Sequence, residues 1–599
     1  MSSQLLQQAA SLHRSGKLAD AERLYKQVLK ADRKSFPAQY MLAVLLYQQQ
    51  RPSAALRAVD LALKLNPDST EALSLHGILQ LNAGQHKKAL FSLSKVVTLN
   101  PGDAEAWHNR GVILTELHRF EDAVQSIDKA LAIQPTAEAW TNRGAALLKS
   151  NKLDEALGSF DKALALKPDF FGALYSRGNA LMDLRRYEEA VAVFDKMLAN
   201  APDVFEIWNN RGIALHGMKR FEESVESYDK AVGVKPDFAP AWTNRGKVLQ
   251  DLNRYEDAVD SYDKALAISS GSLDGWYGRA VSLRSLQRLE DALMSVDKVL
   301  SLQRDFLPAL LLRGWILCEF NRISDGLAVL NGAAVLVSKS RSNDEAPAHK
   351  QRHDAEQREY LSAQNVQIDD NDIYLTGGEK LSGPAVNPAN AESATAQWEK
   401  SSPRVAVIDN LLTEDALEKL RRFCWGSTIW KTSYDDGYLG AMAEHGFASP
   451  LLAQIAEELR DTFPAIVGDH GLRMLWAFKY DSALSGIRIH ADQAAVNVNF
   501  WITPNEANQN AEGGGLVIWD VTAPKNWDPE KYNGDEAAMR GFLESAGAKP
   551  ITVPHRANRA VIFDSDLFHE TDDIDFKEGY LNRRINITML YGRRTVSGL

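Results

Sequence analysis

Pro67, Pro101, Pro135, Pro168, Pro202 and Pro236 stand 33 or 34 residues apart, and this period constrains the fold more than any other feature of the chain. Between the prolines fall Trp107, Trp140, Trp208, Trp242 and Trp276, with Leu174 in the same place in one unit. Four residues after each comes a small residue: Gly111, Gly144, Gly178, Gly212, Gly246 and Ala280. Ala156, Ala190 and Ala258 mark the second half of their units, each followed four residues later by an aromatic, Phe160, Phe194 or Tyr262. A period of this length predicts one helix–turn–helix per repeat, stacked so that neighbours bury each other's apolar faces. The small residues let paired helices approach and the large ones fill the space between. A proline falls between units because it cannot continue a helix.

Together these positions resemble the tetratricopeptide repeat. The resemblance implies an all-α solenoid of about ten units over residues 1–340, degenerate at its ends where caps meet solvent. Within it, Trp-x-Asn-Arg-Gly recurs with Asn109, Asn142, Asn210 and Asn244. An arginine ladder runs beside them (Arg110, Arg143, Arg177, Arg211, Arg245, Arg279, Arg313), with aspartates eighteen residues further on. Arginine and aspartate are expected to pair between helices. The asparagines resemble the ladder in the repeats of O-GlcNAc transferase, which implies a concave groove holding an extended protein or peptide. An amide can donate to and accept from any peptide backbone. Solvent-facing polar residues are the other reading.

The net charge of −11 argues against nonspecific binding to nucleic acid or to an anionic membrane. No apolar run reaches membrane-spanning length. Two cysteines, Cys318 and Cys424, and no leader-like start predict a reducing, cytoplasmic setting without disulfides. The composition shifts at 341–402, which reads as a linker with one helix near Ala346 to Ser362. Thr376-Gly-Gly-Glu-Lys380 lacks the spacing of a phosphate loop. Next come a strand over 404–408 and an amphipathic helix from Glu414 to Trp425 with Thr413 as its cap.

Residues 403–599 carry the chemistry. Short β-rich runs are expected over 473–480, 487–492, 494–502, 516–520, 551–553, 559–563 and 584–591, with a turn at 481–486. On a strand, residues two apart share a face, so His490-x-Asp492 would bring an imidazole and a carboxylate together. His569 supplies a second imidazole far along the chain. Two imidazoles and one carboxylate are the ligand set of non-haem ferrous oxygenases. Tyr480, His490-x-Asp492, the Gly513-Gly514-Gly515-Leu516 strand, His569 and Arg584-Ile-Asn-Ile-Thr588 together resemble the Fe(II)/2-oxoglutarate dioxygenases, the prolyl hydroxylases most closely. The resemblance implies a double-stranded β-helix (jelly-roll, cupin-like) with supporting helices. His490, Asp492 and His569 would be iron ligands. Arg584 would hold the far carboxylate of 2-oxoglutarate, with Arg583 competing for that role, and Tyr480 and Thr588 would lie on the cosubstrate. Asn497 and Asn499 share a strand face, as cosubstrate contacts or as barrel packing. His445, His470 and His555 read as structural or surface residues.

The resulting expectation is a multidomain enzyme that uses Fe(II), 2-oxoglutarate and dioxygen to hydroxylate a protein or peptide recruited by the repeats. The alternatives are a small-molecule oxygenase whose repeats mediate assembly, and an interaction scaffold whose barrel is inactive.

Overall fold

The computed structural model describes residues 2–339, 346–368, 374–481 and 486–594. The expected turn at 481–486 and the boundary at 340 lie largely outside these residues. The chain divides into two compact units, Met1–Asn253 and Arg254–Leu599.

The first unit is helical throughout, from Ser2–Arg14 to Ala239–Asp251. Its helices alternate between 13 and 14 residues and pair as antiparallel hairpins. Each hairpin turns through one residue in the left-handed region: Gln50, His118, Asn151, Arg185 and Lys219 recur at the repeat period. The conserved spacing of small residues has a steric cause. A Cβ on Gly144 would lie 2.4 Å from the Phe160 ring, and one on Gly178 would lie 2.5 Å from Phe194. In these hairpins the first helix thus rests its backbone on the aromatic of the second, and Gly77 and Gly111 rest in the same way on Leu93 and Ile127. Each tryptophan indole spans its own unit, and Trp107, Trp208 and Trp242 donate to the carbonyl of the proline six residues earlier at 2.8–3.0 Å.

The arginine ladder is structural. Arg143, Arg177, Arg211 and Arg245 reach back to Asp128, Asp161, Asp195 and Asp229 of the preceding repeat at 2.6–2.8 Å. Arg143 and Arg211 also donate to Ser159 and Ser227 in the second helix of their own hairpin. Each guanidinium therefore ties one repeat to the one before it. At half-exposed positions each such pair contributes only about 0.2–1 kcal/mol, so the ladder sets repeat-to-repeat register more than it adds stability.

The second unit begins with the last repeat helices, Tyr255–Ile268 to Ile323–Lys339, and continues into two antiparallel sheets. Its strands are β1 (Val405–Ile408), β2 (Thr432–Ser433), β3 (Tyr438–Met442), β4 (Leu472–Tyr480), β5 (Val496–Trp501), β6 (Leu516–Thr522), β7 (Pro550–Val553), β8 (Ala560–Asp564), β9 (Leu567–Thr571) and β10 (Ile585–Tyr591). The larger sheet has the order β1-β8-β5-β10-β4-β3-β2, and the smaller β7-β6-β9. Alternation gives the larger sheet two faces. Leu475, Ala477, Val498, Phe500, Ile562, Ile587 and Met589 turn into a core shared with helices Glu414–Gly426, Pro450–Thr462 and Ile323–Lys339. Trp501, Val561 and Phe563 on the other face meet Leu516 and Ile518 of the smaller sheet.

Two expectations need correction. Residues 487–492 do not form a strand, and only His490 makes an isolated bridge, to His569. The backbone explains it: His490 N–H bonds to His569, Ala491 N–H to Tyr532 and Asp492 N–H to Ser565, three partners on three segments. The 341–402 segment is also more than a linker where it is described. Helix Ala348–Ser362 buries His353, Gln357 and Leu361, and Leu381, Ala385, Val386 and Trp398 join the core under the larger sheet. Cys318 and Cys424 are buried and unpaired.

Gly144→Val should destabilise the repeats by about 1–3 kcal/mol, the usual cost of overpacking, because the added atoms meet the Phe160 ring. Thermal melts of the parent and the variant read the change. An unchanged midpoint would contradict the close-approach account.

Candidate metal centre and anion pocket

His490, Asp492 and His569 converge although they sit on three different kinds of backbone. His569 is on β9, His490 in the irregular segment that bridges to it, and Asp492 just beyond. One ligand atom from each lies within 4.8 Å of the others, and no other such group occurs among the described residues. The imidazole centroids are 4.2 Å apart, and His569 Nε2 stands 3.4 Å from Asp492 Oδ2. His490 Nδ1 faces the Arg488 carbonyl at 2.8 Å, and His569 Nδ1 faces the Leu567 carbonyl at 3.0 Å. A nitrogen facing a carbonyl must carry the hydrogen, so each Nδ1 donates and each Nε2 keeps its lone pair toward the centre.

At His490 the electrostatics favour that state. Burial, reinforced by His569, pushes the His490 imidazole down to about 4. Burial alone would raise the Asp492 carboxyl, but His569, His490 and the Asn497 amide outweigh it and hold it below the usual carboxylate range. The set is thus two imidazoles with directed lone pairs and one charged carboxylate. These donors suit a borderline divalent transition metal better than an all-oxygen site would.

Beside this group lies a pocket lined by Asn497, Asn499, Arg584, Asn586, Thr588 and Thr571. Arg584 is 1% exposed. Its Nε donates to the Gly514 carbonyl at 2.6 Å, one Nη to Gly515 at 3.0 Å and the other to Asn586 Oδ1 at 3.2 Å. Three of its five N–H groups are used in these bonds. The glycines permit this. Gly514 has φ +75°, and a Cβ on Gly515 would overlap the Val553 carbonyl at 1.9 Å. Tyr480 is fully buried with its ring against the guanidinium at 4.8 Å, and Thr571 and Arg584 lie beside its hydroxyl. Arg583 turns the other way and pairs with Glu356 at 2.8 Å. Of the two candidate arginines, the pocket therefore contains Arg584.

The two asparagines separate. Asn499 Nδ2 donates to Thr588 Oγ1 at 3.0 Å, so both hold the pocket floor. Asn497 instead donates to Asp492 Oδ2 at 2.7 Å, and its own Oδ1 is buried without a partner. It lines the pocket at the side of the carboxylate, which its amide orients. Asn586 was not anticipated, although the alternation Arg584-Ile-Asn586-Ile-Thr588 contains the signal. His555 is 6% exposed between Trp501 and Phe576, and burial with Arg584 nearby pushes it down to about 3.

In the repeats the four ladder asparagines, Asn109, Asn142, Asn210 and Asn244, are half-buried on the first helices of their hairpins. Asn142 Nδ2 bonds His108 Nε2 at 2.7 Å, Asn210 Nδ2 bonds Asn179 Oδ1 at 2.9 Å, and Asn244 Nδ2 bonds Asn209 Oδ1 at 3.1 Å. Each of these three amides spends a donor on the preceding repeat; Asn210 also donates to Tyr175 Oη at 3.3 Å and accepts from Asn209 Nδ2 at 3.2 Å.

Tetratricopeptide-repeat family models match residues 12–79, 74–138, 117–170, 141–205, 175–241 and 239–271. The helical part of the chain is therefore built of tetratricopeptide repeats. Solved structures similar to it include residues 41 to the end of MamA from Desulfovibrio magneticus RS-1, 22% identical, covering 28% of this chain and 96% of that one with a TM-score of 0.27. YrrB, described as a TPR protein with an unusual peptide-binding site, is 24% identical over 31% of this chain and 97% of its own, TM-score 0.28. Yeast Tom70 is 15% identical, covering 61% of this chain and 96% of that one, TM-score 0.30. No curated protein matches the chain. Among the described residues no helix is long and apolar enough to cross a membrane.

Asn497→Leu keeps the branched shape and the heavy-atom count and removes the bond to Asp492. Divalent-metal affinity should fall about 10–100-fold, as for other groups that orient a ligand, with the circular dichroism spectrum unchanged. Parent-like Mn(II) affinity in anaerobic calorimetry would remove Asn497 from that role.

Proposed function

We propose that the sheets of the second unit form a double-stranded β-helix that works as an Fe(II)- and 2-oxoglutarate-dependent oxygenase, hydroxylating a protein or peptide recruited by the repeats. The observation that carries the reading is the convergence of His490, Asp492 and His569 beside a pocket ending in Arg584. His490, Asp492 and His569 would hold the iron. When bound, ferrous iron with 2-oxoglutarate and dioxygen supplies an oxidant strong enough for an unactivated C–H bond, giving succinate and carbon dioxide.

The chain's own groups have separable tasks. The Arg488 and Leu567 carbonyls fix the imidazole tautomers. Arg584, locked by Gly514, Gly515 and Asn586, would present its guanidinium to the distal carboxylate of the cosubstrate. The buried Tyr480 hydroxyl and the Asn499–Thr588 pair give it polar neighbours. Aromatic rings at Trp476 and Phe478 limit water at the pocket wall. The repeats serve protein–protein interaction. Setting partner-binding amides at Asn109, Asn142, Asn210 and Asn244 is part of the proposal, resting on their recurrence at one position of the repeat and on their half-buried placement, with Asn210 already engaged by Asn179, Tyr175 and Asn209.

His490→Ala, Asp492→Ala and His569→Ala should each abolish stoichiometric iron binding, read by metal analysis of anaerobically purified protein, while the fold persists. A His490→Ala protein with parental iron content and 2-oxoglutarate turnover would overturn the ligand set. Arg584→Ala should leave iron content intact and raise the 2-oxoglutarate requirement, by analogy with truncated charge pairs at about 2–5 kcal/mol. Succinate formation against cosubstrate concentration measures it, and an unchanged requirement would reject the anchor.

For the repeats, each backbone hydrogen bond is worth about 0.5–1.5 kcal/mol net, so single asparagine changes should do little and the quadruple Asn→Ala chain should lose partners in pull-downs. A melt recorded alongside separates lost contacts from lost fold. Equal partner recovery from parent and quadruple variant would retire the peptide-groove role.

A further inference from the structure

A groove of about 830 Å3 opens onto His490 and Asp492 from outside the anion pocket. Its floor is the site-facing side of β4, where Trp476 is half-buried and Phe478 lies deeper. One wall is the β2–β3 hairpin. There Tyr434 and Tyr438 stack at 4.5 Å with an interplanar angle of 12°, and Phe478 stands edge-on to both at 5.7 and 5.3 Å. This interlocked ring set is rigid, and the Tyr434 and Trp476 rings keep accessible surface toward the groove.

The charges at the mouth are unequal. Asp436 is met by Arg488 at 3.3 Å. Asp435, next to it, is exposed and has no ion-pair partner among the described residues. A carboxylate at the edge of aromatic faces is an environment that attracts a cation, because the ring faces are themselves negative. The opposite wall offers amides, Gln493 and Asn533, each able to donate and accept along a peptide backbone. The groove is also large for a compact metabolite, near the upper end of small-ligand pockets.

We propose that this groove receives an extended polypeptide segment carrying a lysine or arginine beside the residue to be oxidised. The proposal rests on the oxygenase reading above and adds the class of segment that reaches the metal. The cationic side chain lies at Asp435 against the Tyr434 and Trp476 rings, while Gln493 and Asn533 take the backbone.

The test uses the full chain loaded with Mn(II) and 2-oxoglutarate without oxygen. Three fluorescein-labelled dodecapeptides on one Gly-Ser-Ala background carry two lysines, two glutamines or two glutamates at the same positions. Anisotropy should show the lysine peptide binding at least tenfold tighter than the glutamine peptide and the glutamate peptide not binding. Asp435→Asn should weaken the lysine peptide about fivefold, the size of an exposed charge pair, with Mn(II) affinity unchanged. Asp305→Asn, an exposed acid in a repeat loop, should change neither. Equal affinity for the three peptides, no binding of any, or an Asp435→Asn chain indistinguishable from Asp305→Asn overturns the proposal while leaving the metal site standing. Failure of the parent to hold Mn(II) overturns the oxygenase reading and the proposal together.

Discussion

The antiparallel register of β10 between β4 and β5 is the constraint on which the rest of the second unit depends. Thr588 lies opposite Asn499 on one side and Trp476 on the other, and Asn586 lies opposite Trp501 and Phe478. Because side chains alternate, that pairing puts Asn497, Asn499, Asn586, Thr588, Trp476 and Phe478 on one face. Ile585, Ile587, Met589, Val498 and Phe500 take the other. A slip of β10 by one residue would turn Asn586 and Thr588 into the apolar core and bring Ile585 and Ile587 to the pocket, so the hydrophobic face enforces the polar one. Arg583 and Arg584 show the same rule at the strand's edge: adjacent in sequence, one serves helix Ala348–Ser362 through Glu356 and the other the pocket.

Periodic features were legible in the sequence. The repeat hairpins follow from spacing that agrees over many copies, and most β-rich runs became strands within a residue or two, because alternation and β-branched content are local signals. The candidate ligands were legible as residue types, but the reason given for their convergence was not the one found. His490 and Asp492 meet His569 without a regular strand, since their backbone groups are divided among β9, the Tyr532 carbonyl and Ser565. One of the three partners, Tyr532, comes from the helical insertion between β6 and β7, whose helices carry local caps at Asp528 and Asp535 but no local signal of where they pack. β9 was missed because Leu567–Thr571 is brief and flanked by acids. The role of Asn497 was missed for a different reason: period two says which face a side chain takes and nothing about which neighbour it bonds.

In the repeats, polar ladders and packing divide the labour. The glycine–aromatic contacts fix how closely the two helices of a hairpin lie, and they are steric, so they tolerate little change. The arginine–serine–aspartate links and the asparagine donors act between hairpins and are individually weak. Between hairpins these polar links add to a continuous apolar core, in which Leu147, Phe160, Leu174, Phe194 and Leu215 of successive hairpins share one cluster.

The last repeat helices behave differently. Ile323, Leu327 and Leu330 of helix Ile323–Lys339 belong to the same buried cluster as Phe423, Ile455 and Met589. Glu319, 9% exposed, lies within reach of three arginines from three places: Arg284 at 2.5 Å, Arg473 of β4 at 3.5 Å and Arg593 beyond β10 at 3.7 Å. Arg593 also donates to the Arg284 and Ser285 carbonyls. A carboxylate buried this deeply is tolerable only with its cations in place, so these helices and the sheet depend on one another. A boundary drawn where the repeat period ends would cut through this core and strip a face from the sheet that carries the pocket. Within this unit the final repeats are part of the scaffold of the candidate site, and the transition from repeat to sheet is a change of chain pattern across a continuous core.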